Sequence, residues 1–147
     1  MEISMNIAFF TRPKQDVTFV YSDATVRQTL EKMHANGFTA VPVLDREGHY
    51  VGTVSEGDLL WFIIKGEGGE PHTMAIESLE SFRLTDLLDY TKKNPPVTIS
   101  ASIENLIIRA METNFVPITD DRGIFIGIVT RRSIIKHFYE KNIFPPE

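Results

Sequence analysis

The chain has 147 residues, a formal charge of −5 and a pI near 5.4, with 42% hydrophobic and 24% charged residues. That balance suits one globular domain or two closely packed halves, and it lacks the basic excess of a nucleic-acid-binding surface. There is no cysteine, hence no disulfide, thiolate metal site or cysteine nucleophile, and no apolar run approaches the ~18 residues of a membrane span.

Met1 to Phe10 shows no basic run or cleavage-like site, so it is not read as a signal peptide, and a cytoplasmic location is expected. Ile7 to Phe10 predicts a short helix or turn ended by Pro13. Val17 to Tyr21 predicts a strand, with Ser22 or Asp23 capping a helix from near Ala24. Val26, Thr29, Leu30 and Met33 give that helix one apolar face, and Asn36-Gly37 stops it. Phe38 to Asp58 then reads as strand, tight turn, strand and helix start. Asp45 opens the turn, Gly48 closes it, and Ser55 caps the helix with Asp58 in the capping-box position. That helix, about Glu56 to Lys65, is apolar on more than one face and predicts a second packing surface. Gly66 to Pro71 is the clearest linker. Leu84, Leu87, Leu88 and Tyr90 predict a short helix capped by Thr85 or Ser81, and Lys92 to Pro96 is a second break.

From Val97 the first pattern returns. Pro42 maps on Pro117, Asp45 on Asp120, Gly48 on Gly123, Gly52 on Gly127 and Ser55 on Thr130, each pair 75 residues apart. Matches at one offset, each at a residue with a backbone role, mark an internal duplication. Val97 to Ser100 is its strand, Ser102 its cap, and Ile103, Leu106, Ile107 and Ala110 its apolar helical face. Each copy is β-α-β-β-α. The fold class expected is α+β, two βαββα repeats related by a pseudo-twofold and packed through their sheets. The expected boundaries are 1–70 for the first repeat with the N-terminal segment, 71–96 for a linker with a short helix, and 97–147 for the second repeat.

The ordered pieces Val-Pro-Val-x-Asp, turn, and Gly-x-Val-Ser/Thr-x-x-Asp, present twice, resemble the cystathionine-β-synthase (CBS) domain, of which two in tandem form a Bateman module. The paired arginines after Thr130 and the run Gly37 to Asp45 are similar to stand-alone bacterial CBS pairs that bind cyclic di-AMP. The resemblance implies regulatory binding of an adenine nucleotide such as AMP, ATP or cyclic di-AMP in clefts between the repeats. It also implies a homodimer and an output delivered to a separate effector protein. Carried over residue by residue, it lines a first cleft with Asp16, Thr18, Thr39, Ala40 and Pro42 facing Thr130, Arg131, Arg132 and Ser133. It lines a second with Val97, Thr98, Asn114, Phe115 and Val116 facing Ser55, Glu56 and Asp58.

The residue chemistry runs the same way. A Thr at a helix N-terminus and two arginines suit a phosphate, and two arginines in a first turn oppose the helix dipole unless an anion joins them. Asp58 fits the family's ribose-binding carboxylate; equally, it is well placed to favour the helix dipole. Ser133 stands where the first cleft would have an Asp, Glu56 opposes a phosphate in the second, and a deletion before Pro117 narrows it. The first cleft is therefore expected to take the phosphate-rich ligand, and the second to be empty or to take an uncharged adenosyl group. Ser133 and the deletion favour an alternative, a ligand-free structural or dimerisation module with degenerate clefts, against which Arg131 and Arg132 argue. No catalytic pair, cofactor motif or metal-ligand spacing is found, and neither enzyme activity nor a cofactor is expected. The four histidines are read as surface or packing residues.

Overall fold

Each repeat contains a hairpin that one aspartate ties together. Asp45 Oδ1 accepts the backbone N–H of Glu47 at 3.0 Å and of His49 at 2.8 Å, and Gly48 turns the chain with φ 94°. Asp120 Oδ1 does the same for Arg122 at 2.8 Å and Ile124 at 3.0 Å, with Gly123 at φ 85°. A side chain that accepts from its own turn, followed by a residue free to take positive φ, is what such a tight reversal requires.

The computed structural model describes residues 6–65 and 76–142. Its helices are α1 (Ile7–Phe10), α2 (Val26–Asn36), α3 (Glu56–Lys65), α4 (Leu88–Thr91), α5 (Ile103–Ala110) and α6 (Arg131–Asn142). Its strands are β1 (Arg12–Pro13), β2 (Val20–Tyr21), β3 (Ala40–Leu44), β4 (Tyr50–Ser55), β5 (Val97–Thr98), β6 (Phe115–Thr119) and β7 (Phe125–Thr130). The α+β class and both β-α-β-β-α repeats are present as expected, as β2-α2-β3-β4-α3 and β5-α5-β6-β7-α6. The Gly66–Pro71 linker lies outside the described residues.

Two units result, one of Thr18–Lys93 and one of residues 6–17 with 94–142. In the first, the sheet runs β2-β3-β4, with β2 parallel to β3 and β3 antiparallel to β4. Its core joins Val41, Val43 and Val54 of the sheet to Val26 and Met33 of α2, Leu59 and Phe62 of α3, and Leu79, Leu84 and Leu87. The segment expected to be linker, 71–96, is thus largely structural from residue 76 on, because three of its leucines are buried. Leu84–Leu87 is a 3-10 turn leading into α4, and Asp86 caps it by accepting from Arg83 N, in place of the expected Thr85 or Ser81.

In the second unit the sheet runs β1-β7-β6-β5. Its core joins Val116, Ile118 and Val129 to Leu106, Ala110 and Ile134, with Ile7 and Phe10 of α1. The N-terminal segment, placed with the first repeat on sequence, instead pairs antiparallel with β7, Arg12 opposite Ile128 and Pro13 opposite Gly127. Proline is tolerated in this strand, which lies at the edge of the sheet among the described residues.

Helix ends show where side chains decide. The cap of α2 is Thr25, in a full capping box with Gln28, rather than Ser22 or Asp23. Gly37 closes α2 in the left-handed conformation, as expected. Ser55 and Asp58 form the expected box on α3, Asp58 N donating to Ser55 Oγ at 3.2 Å and Ser55 N to Asp58 Oδ2 at 2.8 Å.

Burial pushes the Asp45 and Asp120 carboxyls up, but the turn amides outweigh it and hold both below the ordinary carboxylate value. Groups depressed in the folded state stabilise it above their unfolded pKa and cease to do so as pH falls through the folded one. Amide hydrogen exchange at His49 and Ile124 is therefore expected to be steady down to about pH 4 and to accelerate, after correction for intrinsic rates, below it. A flat profile down to about pH 2 would contradict this.

Candidate functional site

The ends of β4 and β7 place the two helix starts that sequence singles out. Each strand runs straight into its helix, and each first helical residue gives its amide to the start of the neighbouring strand. Glu56 N donates to the Thr39 carbonyl at 2.9 Å, and Arg131 N to the Asn114 carbonyl at 2.8 Å. Thr39, Ala40, Ser55, Glu56 and Asp58 are thereby brought together in the first unit. Asn114, Phe115, Thr130, Arg131, Arg132 and Ser133 are brought together in the second.

The two starts differ in charge. The first turn of α3 holds Glu56 and Asp58, whereas that of α6 holds no acid. Thr130 Oγ1 accepts from Ser133 N at 3.1 Å, and Ser133 turns its hydroxyl back onto the Thr130 carbonyl at 2.8 Å. The first turn of α6 supplies no carboxylate, and the positive end of the helix dipole favours an anion there.

Arg131 carries structural contacts beside the phosphate role expected from sequence. Its Nε donates to the Ala110 carbonyl at 2.8 Å, Nη2 to the Met111 carbonyl at 3.3 Å and Nη1 to Asn114 Oδ1 at 3.2 Å. The last carbonyls of α5 lack helical partners, and a guanidinium fork satisfies them. Arg131 is thus held against the scaffold, while its neighbour Arg132 is exposed and its side chain makes no hydrogen bond or ion pair among the described residues.

Asp58 is also more engaged than sequence suggests. Its carboxylate, nearly buried, holds both the Ser55 amide and the Lys93 ammonium, the latter at 2.8 Å. Lys93 Nζ lies 3.5 Å from Ser55 Oγ, and Tyr50 OH donates to the Lys93 carbonyl at 3.1 Å. Sequence reasoning missed this cation because it stands 35 positions from Asp58, in a stretch that reads only as a chain break. A ribose approaching Asp58 meets an ion pair rather than a bare carboxylate.

The remaining expected residues are spread through both units. Asp16 is exposed on a 3-10 turn, Thr18 is half-buried ahead of β2, and Pro42 is buried in β3 opposite Thr53. Val97 and Val116 are buried core residues, Thr98 is exposed, and the Phe115 carbonyl accepts from Asn94 Nδ2 at 3.2 Å.

One group of side chains has the makings of a metal site that sequence did not flag, Asp45, Glu47 and His49, whose ligand atoms lie within 4.8 Å of one another. The second repeat makes the same turn with Arg122 and Ile124 in place of Glu47 and His49. The aspartate is therefore accounted for by the hairpin.

Hairpins, caps and strand-to-helix joints repeated in this order define a tandem CBS pair. The CBS domain family model matches residues 9–65 and 85–140, and the chain belongs to that family. It is 27% identical over 144 residues to the chloroplastic CBS domain-containing protein CBSX1 of Arabidopsis thaliana, covering 86% of this chain but only 61% of that relative's length. Among solved structures, CbpB in complex with c-di-AMP superposes with a TM-score of 0.82 at 24% identity, over 92% of this chain and 85% of that one. CBSX2 in complex with AMP superposes at 0.73, also 24% identical, over 93% and 98%. These structural likenesses establish the fold. CBS pairs are generally regulatory rather than catalytic. Among the described residues, no helix is long and apolar enough to cross a membrane.

Proposed function

We propose that this CBS pair is a sensor that binds an adenine nucleotide of the AMP, ATP or cyclic di-AMP kind and passes the signal to a partner protein. The observation that carries this reading is the start of α6, where an exposed arginine with no partner among the described residues stands in a first turn free of acids. Arg132 and the Thr130 hydroxyl are the assigned phosphate contacts, since a guanidinium beside a helix start suits an oxyanion. Support comes from the similar structures that hold c-di-AMP and AMP. Binding produces a signal only if the nucleotide prefers one of two states of the protein. Homodimerisation is part of the proposal, through the exposed Leu60 and Trp61 of α3 and Ile135 and Tyr139 of α6.

The test is a thermal-shift panel with AMP, ADP, ATP, NAD, S-adenosylmethionine and cyclic di-AMP. A ligand at about 100 times its dissociation constant stabilises the fold by about 2.7 kcal/mol, a shift of several degrees. A selective shift with one nucleotide, lost in Arg132→Ala, is expected. The Lys93–Asp58 pair favours a second reading, a ligand-free dimerisation module, because it fills the carboxylate a ribose would need. No shift with any nucleotide at millimolar concentration, together with a dimer in solution, would decide for that second reading.

A further inference from the structure

The first unit also carries a recess of about 270 Å³, lined by Tyr21, Asp23, Gln28, Lys32, Arg46 and Arg83. It lies past the carboxyl ends of the parallel strands β2 and β3, beside the start of α2. None of these residues belongs to the nucleotide-contact sets, and the contact residues brought together in the first unit, Thr39, Ala40, Ser55, Glu56 and Asp58, lie at the opposite end of β3.

Three cations face one carboxylate here, in a chain whose net charge is −5. Arg46 stacks over the Tyr21 ring, 4.0 Å from its centroid, and forks onto Asp23, with Nε to Oδ2 at 2.9 Å and Nη2 to Oδ1 at 3.0 Å. Arg83 donates Nη1 to the Asp23 carbonyl, and the Lys32 ammonium donates to the Phe19 carbonyl. These contacts fix the cations in place without exhausting them, because a guanidinium has five N–H donors and an ammonium three. The hairpin does not need the arginine for its own sake. The counterpart of Arg46 in the second repeat is Asp121, and that turn closes with the same aspartate–amide bonds.

After Asp23 is counted, two positive charges are left over. Guanidinium forks match the oxygens of a tetrahedral oxyanion, and the recess exceeds a bare phosphate in size. We propose that this recess is a second ligand site, for a small phosphate-bearing molecule whose phosphoryl dianion is held by Lys32, Arg46 and Arg83. The site stands apart from the nucleotide reading and does not depend on it.

The experiment is a titration of the ¹⁵N-labelled 147-residue chain with inorganic phosphate, with glycerol phosphate and, at matched ionic strength, with sodium chloride. Saturable shifts at the amides of Asp23, Ala24, Arg46 and Arg83 are expected with both phosphates and not with chloride. Tighter binding of glycerol phosphate would identify an ester as the occupant, and equal binding would identify the free ion. Arg46→Gln and Lys32→Gln are each expected to weaken binding about tenfold, the cost of losing one charge-assisted contact. Both should leave the response to adenine nucleotides unchanged. Lys32 is exposed on α2, so its variant serves even if Arg46→Gln lowers stability. Absence of saturation, equal shifts with chloride, or full-strength binding by both variants would overturn the proposal.

Discussion

Gly127→Ala is expected to lower the thermal midpoint by roughly 6–12 °C, the equivalent of about 3 kcal/mol in a chain of this size. A β-carbon at Gly127 would sit far inside contact distance of the Arg12 carbonyl oxygen, and also close to the Thr11 methyl. Both obstacles lie on the segment that pairs with β7, and backbone cannot yield as the tip of a long side chain can. Gly52→Ala should behave alike, since its β-carbon would strike the Thr91 carbonyl at the end of α4. Gly57→Ala is the control. Its β-carbon would meet only Ser55 Oγ, at 3.7 Å, and in a helical position alanine should be neutral or stabilising by up to about 1 kcal/mol. Melting curves of the three variants check the set. Equal midpoints for Gly127→Ala and Gly57→Ala would show that the close approach of β1 to β7 is not a feature of the protein in solution.

Arg131→Ala and Arg132→Ala are expected to separate stability from binding. Arg131 gives two hydrogen bonds to the end of α5 and one to Asn114 beyond it, and its loss leaves the Ala110 and Met111 carbonyls and the Asn114 side chain without those donors. A half-exposed charged network of this kind is worth about 2 kcal/mol. Lysine, a point donor, should rescue little of it. Arg132→Ala should melt with wild type but lose the nucleotide-induced shift. Denaturant titration with and without nucleotide reads both quantities from one sample. A variant pair with the roles exchanged, Arg132 stabilising and Arg131 dispensable, would reverse the assignment.

The asymmetry between these neighbouring arginines shows what sequence can carry and what it cannot. The five residue matches at one spacing suffice for both hairpins, both strand-to-helix joints and the capping box of Ser55 and Asp58, because those features are local. Turn geometry depends on residues within four positions of each other. The partner of Asp58 is not local, nor are those of Arg131, which sit on the preceding helix and loop. The N-terminal segment fails for the same reason. Nothing in Arg12-Pro13 specifies pairing with Ile128 and Gly127. Sequence does not single out the cap of α2, because Ser22, Asp23 and Thr25 are all competent and only Gln28 in reach of the Thr25 amide selects among them. Pairwise identity of the contacts, rather than residue type, decides such cases.

The pairing of β1 with β7 also bears on how the molecule is made. The second unit is discontinuous in the chain, its first strand being translated before Thr18 and its partner strand only at Phe125–Thr130. The first unit, Thr18–Lys93, is continuous and has its own core. On a ribosome adding roughly 5–20 residues per second, that unit is complete while residues 6–17 still wait for β7. The connectivity thus allows the continuous unit to fold before the discontinuous one, whose β7 is made later. Trimming the N-terminus would leave the early-folding unit intact and expose the β7 edge of the late one to pairing with another chain.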